Sequence, residues 1–149
     1  MQNWCVYLSG EIHSDWREQI IKGCQDAGLD IQFNSPVTEH AASDECGAKI
    51  LGNEEQPFWY DHKAAKINAI RTRTLIEKAD IVVVRFGDKY KQWNAAFDAG
   101  FASALGKSII TLHDSELTHA LKEVDAAAQA CAQTPQQVIE ILKYIIQHK

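Results

Sequence analysis

The sequence predicts an α/β fold, a three-layer sandwich with a parallel sheet of about five strands, flavodoxin-like or Rossmann-like. Short apolar runs alternate with segments of helical spacing along the chain. Two of these runs, within 79–88 and at 108–112, are almost wholly apolar, as is typical of strands covered on both faces. The 149 residues are enough for a real core, so we expect a single domain over 1–149.

The first half of the chain contains two predicted strands and a long irregular segment. Ser14 or Asp15 is the expected N-cap of the first helix and Gly28 its C-cap. In order, the predicted elements are a strand at 4–8 ended by Ser9 and Gly10, a helix at 16–27, a strand at 31–33, an irregular segment at 34–60 with one short helix at 44–51, and a helix at 61–78.

The second half predicts a strand, a helix of small residues and a second strand. Thr134 is the expected cap of the last helix, with Pro135 at its first position. In order, the predicted elements are a strand within 79–88, a helix beginning near Trp93 and ending before Gly106, a strand at 108–112, a helix at 115–123, a weak segment at 127–132 and a helix at 135–147.

Composition excludes several classes of partner. The formal net charge is −5 and no Lys/Arg cluster is present, which argues against a nucleic-acid polymer or an anionic membrane. No apolar run approaches the length of a membrane span, and the N-terminus has no signal-like pattern, so we expect a cytoplasmic protein.

Metals and common cofactors are also disfavoured. The four Cys form no C-x-x-C pair and the six His form no i, i+4 pair, so we expect no metal. No G-x-G-x-x-G follows the first strand and no phosphate-binding P-loop pattern occurs, so we expect no dinucleotide or other cofactor.

Asp98 is the strongest candidate for a functional residue. It lies about one turn into a helix made of Ala, Gly and Phe, where a carboxylate costs free energy unless it is paired or used. The positive end of the helix dipole favours its ionised form. We interpret it as a nucleophile or ligand anchor beyond the carboxyl ends of the strands, where such folds bind ligands.

Three neighbours complete the expected centre of the site. Tyr7 comes two residues before the end of the first strand, so its hydroxyl is expected in the crevice unless the ring is only a core aromatic. Trp93 and Asn94 at a helix start suit a planar ring with hydrogen-bonding edges, although a Trp that only packs a lid would fit equally well.

Further polar candidates are expected around the rim of the site. Asn68 and Arg71 lie three apart on one helix face and are positioned to reach one anionic group. Solvation is the competing interpretation for His13 and Arg71, and helix capping for Asp15 and Arg17. The full set of predicted binding residues is Gly10, His13, Asp15, Arg17, Asn68, Arg71, Asp88, Trp93 and Asn94.

These residues resemble those of the YtoQ-type family, grouped with the nucleoside 2-deoxyribosyltransferase superfamily. The run Lys89–Asn94, Lys-Tyr-Lys-Gln-Trp-Asn, is the most distinctive match. The resemblance covers nearly the whole chain, at residues 6–17, 66–68, 71–72, 78–83, 86–94 and 98–107.

The resemblance implies a carboxylate that attacks the sugar C1′ of a nucleoside or nucleotide. Asp98 falls where the superfamily has a nucleophilic Glu, and Tyr7 matches the Tyr that orients it. The family's acid would lie on the preceding helix, where this chain has Arg71 and Thr72. Candidates for a replacement acid are Asp15, Asp61 and Asp88.

The expected function is that of a deoxyribosyltransferase or N-glycosidase-like protein, with a non-catalytic nucleotide or sugar-phosphate sensor as the alternative. A phosphoribohydrolase is a further alternative, but it normally needs a Gly-rich phosphate loop. Related folds complete their sites across subunits, so we expect a homo-oligomer in which the apolar and aromatic segment 34–60 covers the crevice.

Overall fold

A parallel five-stranded sheet forms the centre of the molecule, which is described here by a computed structural model over residues 3–148. The strand order is β2-β1-β3-β4-β5, and every neighbouring pair is parallel. This order confirms the predicted flavodoxin-like architecture. The strands are β1 (Trp4–Gly10), β2 (Ile31–Asn34), β3 (Ile81–Arg85), β4 (Ser108–Leu112) and β5 (Ala130–Ala132).

Within residues 3–148, six α-helices connect and flank the strands. α1 packs against α6 on one side of the molecule, and α4 contacts β1, β3 and β4. The helices are α1 (Trp16–Asp26), α2 (His40–Leu51), α3 (Pro57–Lys78), α4 (Trp93–Ala104), α5 (Lys122–Ala126) and α6 (Pro135–Gln147), with a short 3₁₀ turn at Ser115–Leu117.

The sheet separates two apolar cores, which makes three layers. On one face Val6 and Leu8 of β1 pack with residues of α1 and α6. On the other face Tyr7 of β1 and Val82 of β3 pack with residues of α3 and α4. Alternate residues of each strand therefore face different helices, as the period of two requires.

The strand order reverses at β1 and β3. The chain leaves β1 toward β2 at one edge and leaves β3 toward β4 on the other side. The loops that follow β1 and β3 therefore separate, and the crevice between them is where folds of this class bind ligands.

β1 is longer than the sequence predicts. Ser9 and Gly10, expected to end the strand, are part of it and pair with Val84 and Arg85 of β3. Gly10 has a φ of 111°, and a Cβ at this position would overlap the Arg85 carbonyl oxygen. Glycine at position 10 therefore allows the two strands to pair closely and does not form a turn.

The segment 34–60 is mostly helical, so the prediction of an irregular stretch is wrong. α2 begins at His40, and α3 begins at Pro57, four residues earlier than predicted. The two helices pack on each other, and Gly47 lies directly against the backbone of Ala64. α2 packs on a helix and not on the sheet, which explains the weak apolar pattern of its sequence.

The last third of the chain follows the prediction with one exception. The helix predicted over 115–123 is divided into the 3₁₀ turn and α5. β5 falls inside the weak segment 127–132, and α6 has the predicted bounds. The Thr134 hydroxyl accepts the Gln137 amide and the Gln137 side chain accepts the Thr134 amide, a reciprocal cap that explains the sharp start of α6.

α1 begins after one of its two predicted N-caps, and its C-cap lies one residue before the predicted one. Asp15 is the N-cap, but its carboxylate caps no amide of the helix. Ala27 is the C-cap, and Gly28 follows with a φ of 71°.

Within 3–148, the helices include none whose length and apolar character would suit a bilayer crossing.

Two glycine substitutions test the packing of α2 on α3. In Gly47→Ala the new methyl overlaps backbone atoms of α3, so we expect a loss of about 1–3 kcal/mol of unfolding free energy. In Gly100→Ala the methyl meets nothing within 4 Å and helix propensity improves, so we expect a gain of up to about 1 kcal/mol. Urea unfolding measures both, and equal effects would contradict the close approach of the two helices.

Candidate functional site

Asp98 lies half-buried at the junction of α4 and β1. α4 buries Ala95, Ala99 and Ala102 against the sheet, and Asp98 lies at the edge of this face. Its Oδ2 accepts a hydrogen bond of 2.6 Å from the hydroxyl of Ser9, which is fully buried. The carboxylate is therefore held at the carboxyl end of a central strand.

The environment of Asp98 disfavours its charged form. Burial raises the pKa of Asp98 above its usual value, and the hydrogen bond from Ser9 opposes that shift. The helix-dipole argument from the sequence predicts a shift in the other direction, so the prediction is wrong. Burial outweighs the dipole at this position in the second turn of the helix.

Tyr7 is buried where the charge of Asp98 acts on its hydroxyl. Its side chain is fully buried, and its hydroxyl has no hydrogen-bond partner among residues 3–148. Burial and then the charge of Asp98 raise the pKa of Tyr7 to about 12, against the opposing effects of Thr72, Arg71 and Arg17. Tyr7 therefore keeps a neutral hydroxyl at neutral pH, under the electrostatic influence of Asp98.

Asn68 and Arg71 on α3 bind backbone carbonyls in this structure. The Asn68 amide donates to the carbonyls of Ser43 and Ala64, both at 3.0 Å. The Arg71 guanidinium donates to the Ser35 carbonyl at 2.7 Å. The two side chains thus join α3 to different segments and do not converge on one group.

Arg17 is buried and is fully engaged with the end of β1. Its guanidinium donates to the carbonyls of Leu8, Gly10 and Glu11 at 3.0, 3.0 and 2.6 Å. Burial lowers the pKa of Arg17 to about 10, which leaves it cationic at neutral pH. Arg17 therefore holds the end of β1 and the start of the loop that follows it.

A crevice of about 200 Å³ lies between the loops after β1 and β3. The carboxylate of Glu11 is buried in it and accepts hydrogen bonds from the His13 amide and the Ser14 hydroxyl. Burial is the largest influence and raises the pKa of Glu11, but these bonds and the charge of Arg85 together place it below its usual value. The lining residues are Glu11, His13, Ser14, Arg85, Gly87, Asp88 and Lys89.

The remaining predicted residues are spread around the same edge. The His13 ring packs on Tyr90 with centroids 4.8 Å apart. Asp15 accepts a bond from Gln19 of its own helix. Trp93 and Asn94 begin α4 and are exposed, with Trp93 75% accessible. The structure thus brings Tyr7 and Asp98 together, and separately His13 and Asp88.

Two residues of this edge were absent from the predicted set, Ser9 and Glu11. The signal was the alternation along β1, because Tyr7, Ser9 and Glu11 share one side of an extended chain. A Ser-Gly pair is typical of turns, and the interpretation of Ser9 and Gly10 as a turn concealed this alternation.

Within the described residues, no group of three or more His, Cys, Asp and Glu side chains is placed to hold a metal ion. A metal-free protein stays a prediction.

Sequence comparison gives a consistent family match. The family described as "Nucleoside 2-deoxyribosyltransferase YtoQ" matches residues 7–146. The "Uncharacterized protein YtoQ" of Bacillus subtilis (strain 168) is 43% identical over 142 residues, which are 95% of this chain and 96% of that protein.

Solved structures resemble this chain in fold. A 2-deoxyribosyltransferase from Bacillus psychrosaccharolyticus superposes with a TM-score of 0.54 at 17% identity, over 91% of this chain and 90% of that one. A conserved protein from Enterococcus faecalis V583 gives a TM-score of 0.63 at 12% identity, over 97% and 99%. At these identities the similarity shows the architecture alone.

Substitution of Arg17 tests whether it supports the loop or binds a ligand. Arg17→Lys retains the charge but cannot reproduce three bonds to three carbonyls, so we expect a loss of about 1–3 kcal/mol of unfolding free energy. Arg73→Lys, at an exposed position, is the matched control and should change stability by less than about 0.5 kcal/mol. Unchanged stability with weakened nucleotide binding would instead make Arg17 a ligand contact.

Proposed function

We propose, from the premise that the chain belongs to the YtoQ family of nucleoside 2-deoxyribosyltransferases, that it breaks the N-glycosidic bond of a nucleoside or nucleotide with Asp98 as the nucleophile. The observation that carries the proposal is the half-buried Asp98 carboxylate, held by Ser9 and next to the unpartnered hydroxyl of Tyr7. The site needs no metal or cofactor for this chemistry.

The chemistry follows from the charge that develops on the sugar. As the bond between C1′ and the base nitrogen breaks, its electron pair leaves with the base and C1′ becomes cationic. An oxygen of Asp98 bonds to C1′ and forms a glycosyl ester, and the base takes up a proton. A second base or water then bonds to C1′, Asp98 leaves as a carboxylate, and a proton is released.

The raised pKa of Asp98 suits this sequence of steps. A carboxylate partly withdrawn from water is less stabilised before the reaction, and an approaching cationic sugar carbon restores the missing stabilisation. The neutral Tyr7 hydroxyl is free to donate a hydrogen bond to the substrate or to the carboxylate.

The leaving base also needs a proton donor. Asp15, Asp61 and Asp88 are all exposed, and among residues 3–148 none of them hydrogen-bonds to Asp98 or Tyr7. Arg71 and Thr72 occupy the helix next to Tyr7, where the family resemblance implies an acid. This observation favours the second candidate function, a nucleotide or sugar-phosphate sensor that binds without turnover.

The variant Asp98→Asn distinguishes an enzyme from a sensor. The amide keeps the shape but loses the nucleophile, so we expect base release from deoxynucleosides and their 5′-monophosphates to fall at least about a hundredfold with little change in affinity. Mass spectrometry of wild type should detect a glycosyl adduct on Asp98.

Asp80→Asn is the matched control because it makes the same change at the opposite edge of the sheet, where Asp80 accepts the Cys5 amide at 2.8 Å. It should retain wild-type turnover. Wild-type turnover in Asp98→Asn would contradict the nucleophile role, and nucleotide binding by wild type without base release would establish the sensor.

We further propose that two or more copies of the chain associate through the outer face of α4. Trp93 and Phe97 lie one turn apart on this face, and each is 75% exposed. Gly100 and Ala104 continue the same exposed stripe, so the surface is apolar along the whole helix. A second copy can cover it because a two-fold interface joins the same patch of both subunits.

The end of the α2–α3 hairpin is a second exposed apolar surface. It carries Phe58 and Trp59, whose rings pack edge to face at 4.9 Å, with Ile50 and Leu51 beside them on α2. The sequence analysis expects the segment 34–60 to take part in the subunit contact, and we propose that this surface contributes together with α4.

Charge on the outer face of α4 should prevent association. Phe97→Lys inserts a cation into the apolar stripe, so we expect monomers where wild type gives at least dimers in light scattering at micromolar concentration. Tyr144→Lys, on the exposed side of α6 at 69% accessibility, is the control and should retain the wild-type mass. A monomeric wild type would refute this assembly.

A further inference from the structure

We propose that Ser9 is the positioning residue for Asp98, in the place that the family resemblance gives to Tyr7. Its hydroxyl donates to Oδ2 of the carboxylate at 2.6 Å, a short distance typical of a bond to a charged acceptor. The inference rests on the proposed function for its catalytic meaning, while the contact itself is open to an independent test.

The sheet fixes the position of the Ser9 hydroxyl. β1 lies between β2 and β3, and Ser9 pairs with Val84 of β3, so its backbone is held by the sheet on the β3 side. Its side chain is fully buried on the face that α4 covers, and Asp98 is its hydrogen-bond partner. Such a donor holds one orientation without losing further entropy when substrate arrives.

The remaining carboxylate oxygen is left for chemistry. Among residues 3–148, Oδ1 of Asp98 accepts no hydrogen bond, whereas Oδ2 is held by Ser9. A carboxylate held at one oxygen cannot rotate freely, so the other oxygen keeps a constant direction. That is the arrangement a nucleophile needs at a sugar carbon.

Tyr7 does not perform this role in the structure. Its ring packs in the core beside Val82 and Val84, and its hydroxyl has no partner within residues 3–148. Asp is one methylene shorter than Glu, so a carboxylate at position 98 stays close to α4. A short serine on the neighbouring strand meets it there, and the Tyr7 hydroxyl is left for the substrate.

Removal of the Ser9 hydroxyl should change the titration of Asp98. In Ser9→Ala the ionised carboxylate loses its one donor, so we expect the Asp98 pKa to rise by about one unit, measured by ¹³C NMR of its carboxyl carbon and assigned with Asp98→Asn. Tyr7 faces Asp98 from β1, and Arg17 and Arg71 face Tyr7 from α1 and α3. These groups are unchanged in the variant, so the difference isolates the hydroxyl.

The loss of the Ser9 hydroxyl should also lower activity. We expect base release by Ser9→Ala to fall about tenfold or more, and the acidic limb of kcat/KM to move to higher pH because more alkali is needed to ionise Asp98. Ser9→Thr keeps the hydroxyl and should restore both the pKa and the limb.

Thr111→Val is the matched control because Thr111, a buried strand residue of β4, donates to the Asp125 carboxylate at 2.8 Å. Its loss should leave the Asp98 pKa unchanged. An unchanged Asp98 pKa in Ser9→Ala overturns the inference, whether or not the wild type releases base. A raised pKa in Ser9→Ala with an inactive wild type supports the contact and refutes the proposed function alone.

Discussion

The close pairing of β1 with β3 is the constraint on which the rest of the site depends. It continues through Ser9 to Gly10, where the Arg85 carbonyl leaves no room for a Cβ. Because the strand is extended to this point, Ser9 faces α4 and its hydroxyl meets Asp98. The loop that follows is then held by Arg17, which binds three carbonyls of the strand end and the loop.

Elements with a strong local sequence pattern were predicted well. β4 and α6 have the predicted bounds, because a continuous apolar run and a capped amphipathic helix are both local patterns. α2 was predicted only over 44–51, without its first four residues, because it packs on another helix through Gly47 and its apolar pattern is weak. The end of β1 was missed because Ser-Gly is typical of a turn, and only the pairing with β3 shows otherwise.

Some residues of the candidate site could likewise be predicted from local sequence, and others could not. Asp98 could be predicted because a carboxylate in an apolar helix is locally anomalous, and Tyr7 because it precedes a strand end. The hydrogen bonds that Arg17, Asn68 and Arg71 donate to backbone carbonyls could not be predicted. Each binds backbone carbonyls of other segments, and a sequence does not show where tertiary folding brings an unpaired carbonyl near a cationic or amide side chain.

The energetics of Asp98 separate it from Glu11, the other acidic side chain near β1. Glu11 has two donors with Arg85 nearby and its pKa lies below its usual value, so the burial of its charge is compensated. Asp98 has one neutral donor, and its pKa is raised, so its compensation is incomplete. Incomplete compensation is a cost to stability that the two cores of the sheet must offset. In the proposed reaction the same deficit would strengthen the attraction between the Asp98 carboxylate and a cationic sugar carbon.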